Sequence, residues 1–92
     1  MEKDKRYGAI KELLERGGIT EFNKIFDIMP HSTMARHLGI NYINFTKKVN
    51  DCGRFTVKEI AKMAALIGTD DMLIATLIIN ANKAQKSRKV KK

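Results

Sequence analysis

The sequence predicts an all-α fold, and three features of its pattern support this class. Apolar side chains recur at helical spacing along nearly the whole chain, no segment alternates apolar and polar residues as a half-buried strand does, and glycines stand where the helical patterns stop. The chain has 92 residues, 43% of them hydrophobic, which suffices for one small core but not for two. We therefore expect residues 1–84 to form a single helical domain.

The first two helices are predicted at 5–16 and 20–29. An apolar stripe marks the first, and the glycine pair at 17–18 supplies its stop. Thr20 is a suitable N-cap for the second, whose apolar residues follow the i, i+3, i+4, i+7 rule until Pro30 prevents continuation. The inward residues are Ile10, Leu13 and Leu14 in the first helix and Phe22, Ile25, Phe26 and Met29 in the second.

Two short helices are predicted at 32–38 and 42–50, with a turn between them. Ala35 is small enough for the second helix to cross over it, and Gly39 can adopt the left-handed conformation that turns the chain. Asn41 is a good N-cap for the second helix. This spacing is typical of a helix-turn-helix unit.

The helix at 42–50 is expected to bury Phe45 and Val49 and to expose a polar face. Asparagine can pair with adenine, lysine can reach guanine or phosphate, and a tyrosine or isoleucine can lie against a thymine methyl group. Nearby cations and helix N-termini would hold phosphates and set the register. The DNA-binding residues predicted on this basis are His31, Thr33, Arg36, Asn41, Tyr42, Ile43, Asn44, Lys47, Lys48, Arg54 and Lys58.

A fifth helix is predicted to follow a loop at 51–53 and to end at Gly68. Thr56 and Glu59 have the S/T-x-x-E spacing of a capping box, in which each side chain satisfies the backbone N–H of the other. This pattern is a strong local signal for a helix start.

The last helix is predicted at 70–84, and its apolar residues spread around most of its circumference. One core face does not need so many apolar side chains, and for a small domain a second copy of the chain is the simplest partner. Residues 85–92 have little apolar content and are expected to form a flexible basic tail. The predicted dimer interface consists of Leu73, Ile74, Leu77 and Ile78.

The net charge of +8 is distributed unevenly along the chain. Residues 1–30 carry as many acidic as basic side chains, residues 31–62 carry six basic and two acidic ones, and residues 81–92 carry six basic ones and no acid. The excess at 31–62 coincides with the predicted helix-turn-helix unit. A local excess of this kind favours an anionic partner such as double-stranded DNA.

Several other classes of function are not expected from the residues present. The chain has no Ser-His-Asp or Cys-His-Asn combination and no glycine-rich phosphate loop, so neither an enzyme nor a cofactor is predicted. His31, His37 and Cys52 fall on different predicted elements without ligand spacing, so no metal site is predicted. With one cysteine, no signal-like start and no apolar run of about 18 residues, we expect a cytoplasmic protein without membrane contact.

The segments MARHLGIN at 34–41 and TVKEIAKMAALIG at 56–68, together with Phe45, resemble the lambda-repressor-like, Xre/Cro type of helix-turn-helix domain. The resemblance covers residues 20–80. It implies a five-helix domain, here with an extra N-terminal helix, whose third helix enters the major groove of operator DNA, usually as a dimer. The chain departs from the family pattern at His31, where a glutamine is common, and at Lys48, where an apolar residue is common.

These observations predict that the chain is a sequence-specific transcriptional regulator that binds double-stranded DNA as a homodimer. The alternative is a protein-interaction adaptor or antitoxin-like partner protein that uses the apolar surface of the helix at 70–84. The two hypotheses differ in how binding affinity should depend on salt concentration, because phosphate contacts weaken steeply with added salt whereas apolar contacts do not.

Overall fold

Helices make up most of residues 4–90, the part of the chain that the computed structural model describes, with side chains through Lys86. No strand occurs within these residues, which confirms the all-α class. Two short 3-10 segments accompany the α-helices. In chain order the elements are α1 (Lys5–Arg16), the first 3-10 segment (Phe22–Asp27), α2 (His31–Leu38), α3 (Tyr42–Asn50), the second 3-10 segment (Cys52–Arg54), α4 (Val57–Ile67) and α5 (Asp71–Val90).

The four phenylalanines form a closed ring of edge-to-face contacts at the centre of the core. Phe22 contacts Phe26 and Phe55 with ring centroids 5.3 and 5.6 Å apart. Phe45 contacts the same two residues at 5.8 and 6.0 Å. Such pairs contribute about 0.5–1.5 kcal/mol each beyond the burial of their area. The ring therefore ties the first 3-10 segment, α3 and the end of the second 3-10 segment together.

The turn between α2 and α3 has the predicted construction. Gly39 has a φ of 75°, and the Ile40 N–H donates to the Ala35 carbonyl at 2.9 Å. Ala35 is buried and Ile40 is half-buried against the core. The capping atom of α3 is the Asn41 side-chain oxygen, which accepts from the backbone N–H groups of residues 43 and 44. The predicted bounds of α3, 42–50, are confirmed.

The predicted second helix at 20–29 is wrong in type and extent. The structure has a six-residue 3-10 segment, and the residue before it makes no side-chain cap. With three residues per turn, a 3-10 segment places residues i and i+3 on one side. Phe22 and Ile25 have this spacing and are both fully buried. The short segment therefore buries this apolar pair, and a helix over 20–29 is not needed to do so. Pro30 is the N-cap residue of α2.

Helix α5 is longer than predicted. It continues through Val90, whereas the sequence indicated an end at residue 84 and a flexible tail over 85–92. The reason is a tertiary contact, because Gln85 hydrogen-bonds to the backbone at the end of α3 and in the second 3-10 segment. Residues 91 and 92 of the expected tail lie outside the described residues.

The predicted dimer interface is largely part of the chain's own core. Ile74, Leu77 and Ile78 are buried, and Leu73 is half-buried. The physical reason is that α5 packs against α4 and against both 3-10 segments, so it needs a wide apolar face. The apolar side chains that α5 exposes are Met72, which is 69% exposed, and Ile79, which is 52% exposed.

None of the helices in the described part of the chain combines the length and the apolar content that crossing a bilayer requires.

We predict that replacing Gly39 by alanine lowers the free energy of unfolding by about 1–2 kcal/mol, because an alanine Cβ is strained at a positive φ. Gly8→Ala is the matched control, since Gly8 lies inside α1 with nothing within 4 Å of its Cβ position. That control is expected to stabilise the fold by about 0.5–1 kcal/mol. Urea denaturation measures the free energy of unfolding of both variants. Equal effects of the two substitutions would contradict the requirement for a positive φ at Gly39.

Candidate nucleic-acid interface

Helix α3 is anchored by one face and exposes the other. Phe45 and Val49 are buried, as predicted, while Ile43, Asn44 and Lys47 are exposed. Ile43 and Lys47 are four residues apart and lie at the centre of the outward face. This face therefore offers an apolar, an amide and a cationic side chain next to one another.

Asn44, Lys47, Lys48 and Arg54 line one shallow depression of about 410 Å³. Three of these residues come from α3, and Arg54 comes from the second 3-10 segment. Arg54 also pairs with Asp51 at 3.1 Å, and because this pair is exposed it contributes little to stability. The structure thus brings four of the predicted site residues together around one concave, mainly cationic surface.

Lys48, one of the residues predicted to contact DNA, has its ammonium group engaged inside the chain. Lys48 Nζ lies 2.8 and 2.6 Å from the two carboxylate oxygens of Glu59. The two side chains are only 21% and 19% exposed. Lys48 lines the depression but is held as an internal ion pair between α3 and α4.

Glu59 joins this ion pair to the capping box of α4. Its carboxylate accepts from the Thr56 backbone N–H at 3.0 Å, and its own N–H donates to the Thr56 hydroxyl at 3.1 Å. Burial acts to raise the pKa of Glu59, but the hydrogen bonds from Lys48 and Thr56 outweigh it and hold that pKa below its usual value. The capping box is confirmed, whereas local spacing could not indicate its link to Lys48 because that partner lies on another helix.

His31, predicted as one of the cations that hold phosphates, is half-buried at the start of α2. The His31 ring packs edge-on against Phe26, with centroids 4.4 Å apart, and lies 6.0 Å from Phe45. Burial lowers the pKa of His31, so the neutral form predominates at pH 7. His31 therefore extends the aromatic core at the start of α2.

The other predicted site residues do not line the depression. Asn41 uses its side-chain oxygen to cap α3, which leaves its NH2 group as the available donor. Thr33 is half-buried on α2. The remaining exposed residues of the predicted set are Arg36, Tyr42 and Lys58.

Two features of this surface were missed by the sequence interpretation. Asn50 is exposed seven residues after Ile43 and so shares its helical face, a signal that the spacing contained. Lys62 donates to the Leu38 carbonyl at the end of α2, at 3.1 Å. Lys48 and Lys62 are thus both used in internal contacts, which lowers the free positive charge of residues 31–62.

Helix α1 leaves the outward face of α3 open. It packs against α4, and its buried Tyr7 contacts His37 of α2 through a hydrogen bond of 2.6 Å. Burial and the nearby Asp4 carboxylate raise the pKa of Tyr7 to about 12, so its hydroxyl stays protonated at pH 7. The N-terminal helix is therefore a support for α2 and α4.

Comparisons of the chain with protein-family models, curated proteins and solved structures find no match. The assignment of function depends on the residues and contacts described above.

We predict that Lys48→Met lowers the free energy of unfolding at pH 7 by about 1–2 kcal/mol, between the values for exposed and buried ion pairs. Because the folded-state pKa of Glu59 is lowered, the stability from this pair is present above the unfolded-state pKa of about 4.3 and is lost as pH falls through the folded value. The difference between parent and variant should therefore shrink below about pH 4. Denaturation midpoints across this range measure the effect.

Arg16→Met is the control for this experiment, because it breaks an exposed pair with Glu12 on α1. Its effect should stay below about 0.5 kcal/mol. A Lys48→Met effect that is as small, or that does not change with pH, would show that the ion pair does not hold α3 in place.

Proposed function

We propose that this chain is a sequence-specific transcriptional regulator that binds double-stranded DNA with α3 in the major groove. The observation that carries the proposal is the exposure of Asn44 and Lys47 beside Arg54, on a helix whose opposite face is anchored by Phe45. A rigidly anchored helix with a free polar face is what base recognition requires.

The exposed side chains of α3 and of the elements next to it divide into two roles. Asn44 can present a donor and an acceptor to adenine, and Lys47 can reach the acceptors of guanine. Ile43 is 62% exposed and can lie against a thymine methyl group. Arg54, Arg36 and Lys58 are exposed cations around α3 and would contact phosphates, which set the register without reading sequence.

We further propose that the helices have the lambda-repressor-like arrangement that the sequence resembles. Four positions that carry the resemblance support it. Ala35 and Phe45 are buried, Gly39 has a left-handed conformation, and Ile40 is half-buried between the two helices. The 3-10 segment in place of the predicted second helix is a departure from the expected five-helix pattern.

We predict that the chain selects a defined sequence from a random duplex pool and that Asn44→Ala with Lys47→Ala abolishes the preference. Each base contact discriminates by about 1–3 kcal/mol, so the ratio of affinities for selected and random duplex should fall about 30-fold or more. The matched control is Asn23→Ala with Lys24→Ala, which removes an exposed pair of the same residue types from the first 3-10 segment. Fluorescence anisotropy titrations measure both variants.

If the preference survives in the α3 variant, α3 is not the recognition element.

A salt titration of the parent chain separates the proposal from the adaptor alternative. Duplex affinity should fall with a log–log slope of several units, about 0.9 for each phosphate contacted. Salt-independent binding of a protein partner, without duplex binding, would support the adaptor.

We propose that the homodimer uses Met72 and Ile79 rather than the buried residues of α5. These two exposed side chains are seven residues apart and therefore lie on one face of the helix. A two-fold contact uses the same patch on both copies, so each chain would contribute this stripe to the interface.

We predict that Met72→Ser with Ile79→Ser weakens binding to a duplex with two half-sites about 34 Å apart, without changing affinity for a single half-site. Without the contact between copies the two half-sites should fill independently. Val57→Ser is the control, since Val57 is an exposed apolar residue on another helix. Unchanged cooperativity in the α5 variant would rule out this dimer surface.

A further inference from the structure

The C-terminal part of α5 is attached to the end of α3 by one side chain. Gln85 accepts from the Cys52 backbone N–H at 2.9 Å and donates to the Val49 carbonyl at 3.0 Å. Both hydrogen bonds join residues more than 30 positions apart in the sequence. Gln85, expected at the start of a flexible tail, is therefore held in place by two tertiary hydrogen bonds.

The contact between α5 and the second 3-10 segment is also close. A Cβ atom on Gly53 would lie 3.1 Å from the side-chain oxygen of Asn82, so a larger residue at position 53 would require the Asn82 side chain to shift. The next residue in this segment is Arg54, which lines the depression beside α3. Helix α5 thus passes directly behind the edge of the proposed DNA-binding surface.

Beyond this contact the chain is strongly basic. Residues 81–92 contain six basic side chains and no acidic one, and five of the six follow Gln85. Lys83 and Lys86 are exposed. The backbone from Gln85 to Val90 is helical and extends about 7.5 Å at 1.5 Å per residue. That length equals about two base-pair steps along the DNA axis, at about 3.4 Å of axis for each phosphate of one strand.

We propose that the basic C-terminal end of α5 is a second DNA-contacting element, which binds phosphates of the duplex beside the site that α3 reads. Charge complementarity identifies the partner, and Gln85 determines the position, because it holds this end next to Arg54. A segment that is already ordered loses less conformational entropy on binding than a flexible tail. The inference rests on the proposed function and adds a sequence-independent contact to it.

The test is a salt titration of duplex affinity for the full chain and for Lys86→Gln with Arg88→Gln and Lys89→Gln. Each lost phosphate contact reduces the log–log slope by about 0.9, so the loss of two or three contacts should make the slope shallower by about two to three units. Affinity for the selected and for a random duplex should fall by the same factor, because phosphates carry no sequence information. The control is Lys5→Gln with Arg16→Gln and Lys24→Gln, which changes net charge equally at exposed positions elsewhere.

A second variant, Gln85→Ala, keeps every charge and removes the attachment. We expect its slope to lie between those of the parent and the triple variant, with circular dichroism confirming that the fold is retained. An unchanged slope in the triple variant, or an equal change in the control, would overturn the proposal. A loss of binding to phosphatidylserine-containing vesicles with an unchanged duplex slope would do the same, since the basic end would then serve a lipid surface.

The outcomes also separate this inference from the proposed function. If the parent chain selects no sequence from the duplex pool, the proposed function and this inference are both wrong. If the parent selects a sequence and the triple variant keeps the parent slope, the recognition by α3 stands and only the contact by α5 is wrong.

Discussion

The burial of Phe45 within the phenylalanine ring is the constraint on which the rest of the structure depends. Helix α3 has nine residues, too few for an isolated helix to be stable in water. Its order and its rotation about its own axis must therefore come from the core. Because Phe45 points into the ring, Ile43 and Lys47 must point away from it.

Two polar contacts then hold α3 from either side of that anchor. The Lys48–Glu59 ion pair joins it to the first turn of α4, and Gln85 of α5 binds the carbonyl of Val49 near its end. Both contacts use groups that are partly buried, where leaving one partner unpaired is costly. The helix that we propose to read DNA is thus held by apolar packing and by hydrogen bonds from two other helices. Such support is what allows a short helix to present side chains in a fixed geometry.

The tertiary structure also brings together two basic stretches that are far apart in the sequence. Residues 31–62 hold the exposed cations around α3, and residues 81–92 hold the basic end of α5. They meet at the second 3-10 segment, where Gly53 leaves space for the approach of Asn82. The N-terminal thirty residues, with no net charge, instead supply α1 and the first 3-10 segment, which complete the core.

The sequence by itself determined the all-α class, the bounds of α3, the turn at Gly39 and the capping box at Thr56, because each depends on residues within about four positions of one another. Only the tertiary structure decided that His31 packs on Phe26, that Lys48 is paired with Glu59, and that Gln85 extends α5. It also decided that Ile74, Leu77 and Ile78 face the chain's own core and not a second copy. Composition and spacing describe what a side chain can do, whereas its partner depends on which distant segment the fold brings to it.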